Sequence, residues 1–255
     1  MIKTFLLWCF IALKLNIGAD NWHDVEDIIL KATNNLENTL ICVDVDNVLT
    51  YTNHPCTYSH NFKAHYNVLK DKTTQEIDNA WGEVFMQNPQ AILDSYAKPT
   101  IQKLQNLGGQ VVGLTSLAAG KDYTIIHKRN SDMENIFGIK PIDAEKFTDP
   151  NLGIFAGSCL TTDGTKSKGL LLRKFLPLMK KPVEVVVFID DSEKNLDDVR
   201  EHLPKNYKYI AIHYTGYQTQ IPPTKVSRDQ FIAFWSEYLP SLSANYEENK
   251  TTKSE

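Results

Sequence analysis

The sequence predicts an α/β fold, a parallel sheet with helices packed against it and one small helical insertion. Three observations predict it. Short apolar runs rich in β-formers, at 40–45, 111–114, 183–189 and 207–214, alternate with segments of helical period. Pro99, Gly108-Gly109 and Pro182 punctuate the boundaries between them. A chain of 255 residues, 42% hydrophobic and 23% charged, has the length and composition to bury a sizeable core.

In chain order, residues 1–19 read as a secretory signal. Lys3 gives a basic start, residues 4–13 are almost wholly apolar, and Asn16-Ile17-Gly18-Ala19 supplies small residues for a cut after Ala19. A helical membrane span needs about 20 apolar residues, and Lys14 interrupts this one. The mature chain is therefore expected to be exported, periplasmic or secreted, with no stable membrane span. Trp22, Val25, Ile28, Ile29, Ala32 and Leu36 recur at helical spacing. Residues 40–45 form the first buried strand. Residues 51–98 are polar and aromatic, with one good helix at about 74–85, and read as a small cap. Pro99 opens a helix that Gly108-Gly109 closes, and 111–114 is the second strand. Residues 121–137 are helical. Residues 153–160 suit a hairpin arm with a turn near Asp163-Gly164. Helix 167–179, strand 183–189, helix 193–202, strand 207–214 and a closing helix at 226–238 complete a domain spanning 20–240. The polar residues 241–255 read as a solvated tail.

Composition excludes several functions. With 27 basic and 31 acidic residues, the net charge of −4 excludes a basic protein that holds nucleic acid by phosphate neutralisation alone. There is no GxGxxG or P-loop sequence. Four cysteines are too few for a disulfide scaffold, and no Cys/His spacing suggests zinc. Removal of the leader takes Cys9; Cys42 reads as core, and Cys56 with Cys159 is the one candidate disulfide.

Ligands of open α/β sheets sit outside the carboxyl ends of the strands. The first strand here runs into Asp44-Val45-Asp46-Asn47-Val48, the second into Thr115-Ser116, and the strong late strand into Asp190-Asp191. Parallel, adjacent strands would bring two acidic pairs and a hydroxyl pair to one edge. Crowded carboxylates raise one another's pKa, and a hard divalent cation such as Mg²⁺ relieves that repulsion. A carboxylate can also attack phosphorus, and a second one can pass the proton.

These segments resemble the motifs of the haloacid dehalogenase superfamily of phosphatases and phosphotransferases, over about residues 39–214. Asp44-Val45-Asp46-Asn47-Val48 is similar to its DxDx(T/V) first motif, Thr115 to the second-motif hydroxyl, Lys168-Gly169 at a helix start to the third-motif lysine, and Asp190-Asp191 with Asn195 to the acidic fourth motif. An exported leader before such a core also resembles a little-characterised group of exported bacterial proteins of this superfamily. The resemblance implies a Rossmann-like core with a cap insertion. It implies Asp44 as nucleophile and metal ligand, and Asp46 as general acid/base whose backbone carbonyl faces Mg²⁺. Thr115 and Lys168 would bind the phosphoryl group. Asp191, and next to it Asp190, would be the remaining ligands, with Asn195 holding their loop. A basic residue often follows the second-motif hydroxyl closely in such proteins; here Ser116-Leu117-Ala118-Ala119-Gly120 precedes Lys121.

The implied activity is a Mg²⁺-dependent phosphomonoester hydrolase acting through an aspartyl-phosphate on a small phosphorylated substrate. An acid at Asp46 suits an alkoxide or phenoxide leaving group better than a halide. The alternatives are a phosphotransferase or mutase using the same intermediate, and a secreted binding or effector protein on the same scaffold. In the cap, Tyr51, His54, His60, His65, Tyr66 and Trp81 are candidates for contacting a base, sugar or ring. His127-Lys128-Arg129 reads as a solvated basic face.

Overall fold

The apolar runs expected to be strands lie side by side at the centre of one eight-stranded sheet. In the computed structural model the described residues are 16–117, 123–162, 166–240 and 242. The first elements are β1 (Ile17–Ala19), α1 (Trp22–Ala32), β2 (Thr39–Val43) and β3 (Thr50–Thr52). Next come α2 (Ser59–His65), α3 (Thr74–Gln87), β4 (Gln90–Ile92), α4 (Ala97–Asn106), β5 (Gln110–Ser116) and α5 (Tyr123–Asn135). β6 (Phe147–Asp149), β7 (Gly153–Phe155), β8 (Cys159–Thr162), α6 (Lys168–Phe175) and β9 (Val185–Asp190) follow. The last are α7 (Glu193–His202), β10 (Lys208–Tyr214), α8 (Tyr217–Gln220) and α9 (Arg228–Tyr238).

The sheet order is β1-β10-β9-β2-β5-β8-β7-β6. The pairings from β1 through β8 are parallel; β7 and β6 add an antiparallel edge. Both faces of the central strands are dry, as in parallel sheets generally. Leu40 and Cys42 of β2 and Val186 and Phe188 of β9 face α6 and α7, where Leu171, Leu172, Phe175, Leu196 and Val199 pack. The alternate residues Ile41, Val43, Val187 and Ile189 face α1, α4 and α5, through Val25, Ile29, Ile101, Leu104 and Met133. This is the Rossmann-like α/β architecture expected. The chain passes outward from β2 through β5 and β8, then returns to lay β9 on the other side of β2. The crevice at that reversal is where such sheets bind ligands.

The cap is built from two distant pieces of chain. β3 and β4 form a small antiparallel pair that carries α2 and α3. Ile77, Ala80 and Val84 of α3, with Cys56 and Leu69, pack against Phe231, Ile232, Phe234 and Trp235 of α9. The Trp235 indole donates to the carbonyl of Cys56 at 3.3 Å, and the His60 and His65 rings reach the carbonyls of Thr224 and Val226, both at 2.9 Å. Capping boxes start both helices, Thr73 with Glu76 and Ser227 with Gln230. The closing helix thus completes the cap as well as ending the domain.

Four expectations change. Ile17–Ala19 pairs with Ile212–Tyr214 at the sheet edge, and Ala19 is buried, so the folded unit starts ahead of the boundary expected after Ala19. The leader, residues 1–15, lies outside the described residues. The hairpin turns at 156–158, where Gly157 has φ +133°, because β8 is needed inside the sheet beside β5; the expected turn at Asp163-Gly164 lies outside the described residues. Cys56 sits in the cap core and Cys159 in β8, and both are buried free thiols, so the candidate disulfide is absent. Of the expected tail, Leu242 is described, and it is buried against the α9 cluster. No helix among the described residues is long and apolar enough to cross a membrane.

Candidate active site

β2 ends at Val43, and the next seven residues fold back tightly. The amides of Leu49 and Thr50 both return to the carbonyl of Val45 at 2.9 Å, and Asn47 donates its amide to Thr50 at 2.8 Å. Asn47 has φ +64°, a left-handed conformation that asparagine tolerates better than most residues. The loop is clamped from below by Trp22, fully buried, whose indole donates to the carbonyl of Val48 at 3.2 Å. Asp44 and Asp46 are therefore presented by a rigid turn, not a free loop. Asp44 is buried; its amide donates to Ile189 at 2.8 Å, locking β2 to β9 at the site.

Lys168 is nearly inaccessible, and its Nζ lies 2.9 Å from Asp44 Oδ1 and 2.7 Å from Asp190 Oδ2. Its position follows from the helix start. Ser167 caps α6 by accepting from the amide of Leu170 at 2.9 Å, and Asp198 of α7 accepts from Ser167 Oγ at 2.8 Å and the Gly169 amide at 2.8 Å. A Cβ on Gly169 would stand 2.5 Å from the carbonyl oxygen of Asp198, so only glycine lets the two helices meet here. Asp190 is fully enclosed and saturated: Lys168, the Ser192 amide at 2.8 Å, and Asn195 Nδ2 at 3.0 and 3.2 Å all donate to it. Asp191 is less committed. Asn47 Nδ2 donates to its Oδ2 at 3.1 Å, and the His213 ring reaches its backbone carbonyl at 3.1 Å.

Side-chain oxygens of Asp44, Asp190 and Asp191 all lie within 4.8 Å of one another. Burial, reinforced by Asp190 and opposed by Lys168, pushes the Asp44 carboxyl up to about 7. Burial and then Asp44 push Asp191 up to about 6. Burial likewise raises Asp190 against the pull of Lys168. Burial alone would lower Lys168, but Asp190 and Asp44 outweigh it and raise it. The carboxyls rise chiefly because they are buried and the amine rises because carboxylates flank it; with three carboxylates around one ammonium, the pocket favours added positive charge, proton or cation. The oxygen-only donor set fits a hard divalent ion. Asp44 and Asp191 have lone pairs to offer, whereas those of Asp190 are engaged. Asp46 stands outside the cluster by its side chain and could contribute its backbone carbonyl.

Thr115, at the end of β5, is buried, and its Oγ1 has no hydrogen-bond partner among the described residues. A buried hydroxyl without a partner is costly unless a ligand completes it. Arg129 of α5 is 1% exposed and donates from one nitrogen to both oxygens of Asp46, at 3.0 and 2.9 Å. Its guanidinium lies 4.0 Å from the Phe85 ring centroid on α3, which ties cap to core. The solvated-face reading of 127–129 thus fails for Arg129. Its signal was present: Ile125, Arg129, Met133 and Phe137, all buried, follow a four-residue helical period. Lys121 lies outside the described residues; the basic group shown at this end of the cleft is Arg129. Asn47, quoted within the first motif without a role, proves to bridge that motif to Asp191.

A cleft of about 330 Å³ opens between this edge and the cap, lined by Asp46, Asn47, Ser116 and Arg129 on the core side. Of the cap candidates, Tyr51 and Trp81 line it; His54 instead stacks on Phe234, and His60 and His65 anchor the lead-in to α9. Tyr66 is exposed and packs its ring against Phe62. A family model described as a protein of unknown function (DUF2608) matches residues 19–247. A comparison with curated proteins finds no match.

Proposed function

The chain belongs to the family of proteins of unknown function DUF2608, and we propose that it is a Mg²⁺-dependent phosphomonoesterase of the haloacid dehalogenase type. The observation that carries this reading is the Asp44–Lys168–Asp190 chain of charge beside Asp191 at the reversal point of the sheet. A buried lysine between two carboxylates at the ends of β2 and β9, with a buried threonine hydroxyl lacking a described partner at the end of β5, the strand adjacent to β2, suits a dianionic phosphoryl group.

In this reading Asp44 attacks the phosphorus, and the ester P–O bond breaks with its electron pair leaving on oxygen. Asp46 gives that oxygen a proton. Asp46 then takes a proton from water, whose oxygen attacks the aspartyl-phosphate, freeing phosphate and restoring Asp44. Lys168 and Thr115 hold the phosphoryl oxygens, and Asn195 and Ser192 keep Asp190 in place against Lys168. Mg²⁺ would be held by Asp44, Asp191 and the backbone carbonyl of Asp46, with Asp190 behind them, and when bound would neutralise charge on the phosphoryl oxygens. The substrate is a small phosphorylated molecule, as the cleft volume suits. Export, to the periplasm or beyond the cell, belongs to the same proposal and rests on the basic start and apolar run at residues 3–13; since Ile17–Ala19 pair in the sheet, the cut would fall ahead of them.

Phosphate release from a panel of phosphomonoesters, with Mg²⁺ and then with chelator, tests the reading. Turnover should need the cation and be abolished in Asp44→Asn. Full activity in Asp44→Asn would sink the mechanism. Phosphate passed to an added alcohol instead of water would make it a phosphotransferase, and inertness across the panel would favour a binding protein.

A further inference from the structure

We propose that the cleft over Asp46 receives a planar aromatic ring, so that the substrate class is a ring-bearing phosphomonoester; the inference rests on the phosphatase reading for the position of the ester. Five aromatic side chains line this one cleft: Tyr51, Tyr58, Phe62, Trp81 and Phe85. They come from β3, the segment after it, α2 and α3, so separate elements converge on the space. Tyr51 and Tyr58 meet edge-on, with centroids 5.8 Å apart, and Phe62 and Trp81 are tilted at 51° and 5.3 Å. Neither pair is stacked face to face; Phe62 and Trp81 are backed by Trp235 and the Phe85 ring is covered by Arg129, so the ring surface open to a ligand is that of Tyr51 and the exposed sides of Phe62 and Trp81. Tyr51, Phe62 and Trp81 are only half-buried, unlike the apolar residues of the cap core beside them.

The cleft is also polarised. Asp46, Asn47 and Arg129 mark its core end, where the ester oxygen would depart. Along the rest, the aromatic residues of the cap are interspersed with Thr52, Thr57, Ser59, Lys63 and Asp78. A ligand with a phosphoryl group at one end and a ring at the other matches both ends at once. At about 330 Å³ the cleft is near the lower end of the roughly 300–1,000 Å³ typical of small-molecule sites. It therefore accommodates one ring system with a short linker or sugar, not an extended polymer.

The test titrates the full chain in chelator with adenosine 5′-monophosphate, O-phosphotyrosine and glucose 6-phosphate, then measures phosphate release from each with Mg²⁺. At least one ring ligand should bind about tenfold or more tightly than the sugar phosphate, and the better of the two identifies nucleoside or aryl chemistry. Phe62→Leu and Tyr51→Leu keep apolar volume and remove the ring; each should weaken the ring ligands more than glucose 6-phosphate. Equal or tighter binding of glucose 6-phosphate, no binding of either ring ligand, or equal losses for all three ligands in both variants would overturn the inference. Ring binding without cation-dependent release would leave the ring site standing and sink the phosphatase reading. Preferential release from glucose 6-phosphate would do the reverse.

Discussion

Asp46 and Arg129 carry the sharpest consequence at the scale of single residues. Arg129 donates to both oxygens of Asp46, and Phe85 covers the guanidinium, so the carboxylate is aimed but not sealed, its side chain 43% exposed. If Asp46 protonates the leaving oxygen, its importance scales with how badly that oxygen needs a proton. Asp46→Asn should lower kcat by about 10²–10⁴ for alkyl phosphates, the usual range for general acid–base catalysis. With 4-nitrophenyl phosphate, whose leaving group departs unprotonated, the formation of the aspartyl-phosphate should be nearly unaffected, visible as a burst of nitrophenol before slow turnover. Equal losses of the first step for both esters would remove Asp46 from the acid role. Asp44, Asp190 and Asp191 were legible in the sequence because strand ends fixed where they must go, whereas Lys168 was singled out only by the resemblance to the third motif. Arg129 was harder to read because its neighbours His127 and Lys128 are polar, and the period that buries it becomes visible only when Ile125, Met133 and Phe137 are read with it.

Among the elements, α9 links the end of the domain to the cap. Trp235 is fully buried, meets Trp81 at 4.9 Å and Phe62 at 5.4 Å, and bonds to the Cys56 carbonyl. It joins the C-terminal helix to the walls of the cleft. Trp235→Ala should destabilise the protein by about 3–5 kcal/mol, the usual range for deleting a buried aromatic side chain. It should also raise KM more than it lowers kcat, because Phe62 and Trp81 lose their backing while Asp44 and Lys168 stand on the sheet. Denaturant unfolding and steady-state kinetics measure the two effects, and a fall in kcat at constant KM would contradict this division of labour. The strands and most helices were legible because each has its own local period. The docking of α9 on the cap was not, since its apolar face says only that something covers it. The β7–β8 hairpin turns at 156–158 for a related reason: residues 159–162 are drawn into β8 by their pairing with Gly113 to Ser116, a distant contact that no local turn signal reports.

For the whole molecule, a net charge of −4 says little until its distribution is known, and three carboxylates, Asp44, Asp190 and Asp191, crowd at one point around Lys168. In the cation-free protein the Asp44 and Asp191 carboxyls titrate near 7 and 6, whereas in the unfolded chain they would titrate at about 4. Between about pH 4 and 7 the native state therefore holds protons that the unfolded chain has released. Stability contributed by this site must fall as pH rises through that window, the opposite of an ordinary salt-bridged aspartate. On the proposed function a divalent cation would take the place of the lost protons, and a cation that binds the folded state alone stabilises it increasingly as its concentration rises above Kd. Melting of the chelated protein at pH 5 and pH 8 should show the site's penalty at pH 8, and Asp191→Asn should relieve part of it. Millimolar Mg²⁺ should raise Tm more at pH 8 than at pH 5, where protons compete for the same oxygens, and should do so less in Asp191→Asn. An equal Mg²⁺ effect at both pH values, or one that survives Asp191→Asn intact, would place the cation elsewhere and detach the acidic cluster from the chemistry assigned to it.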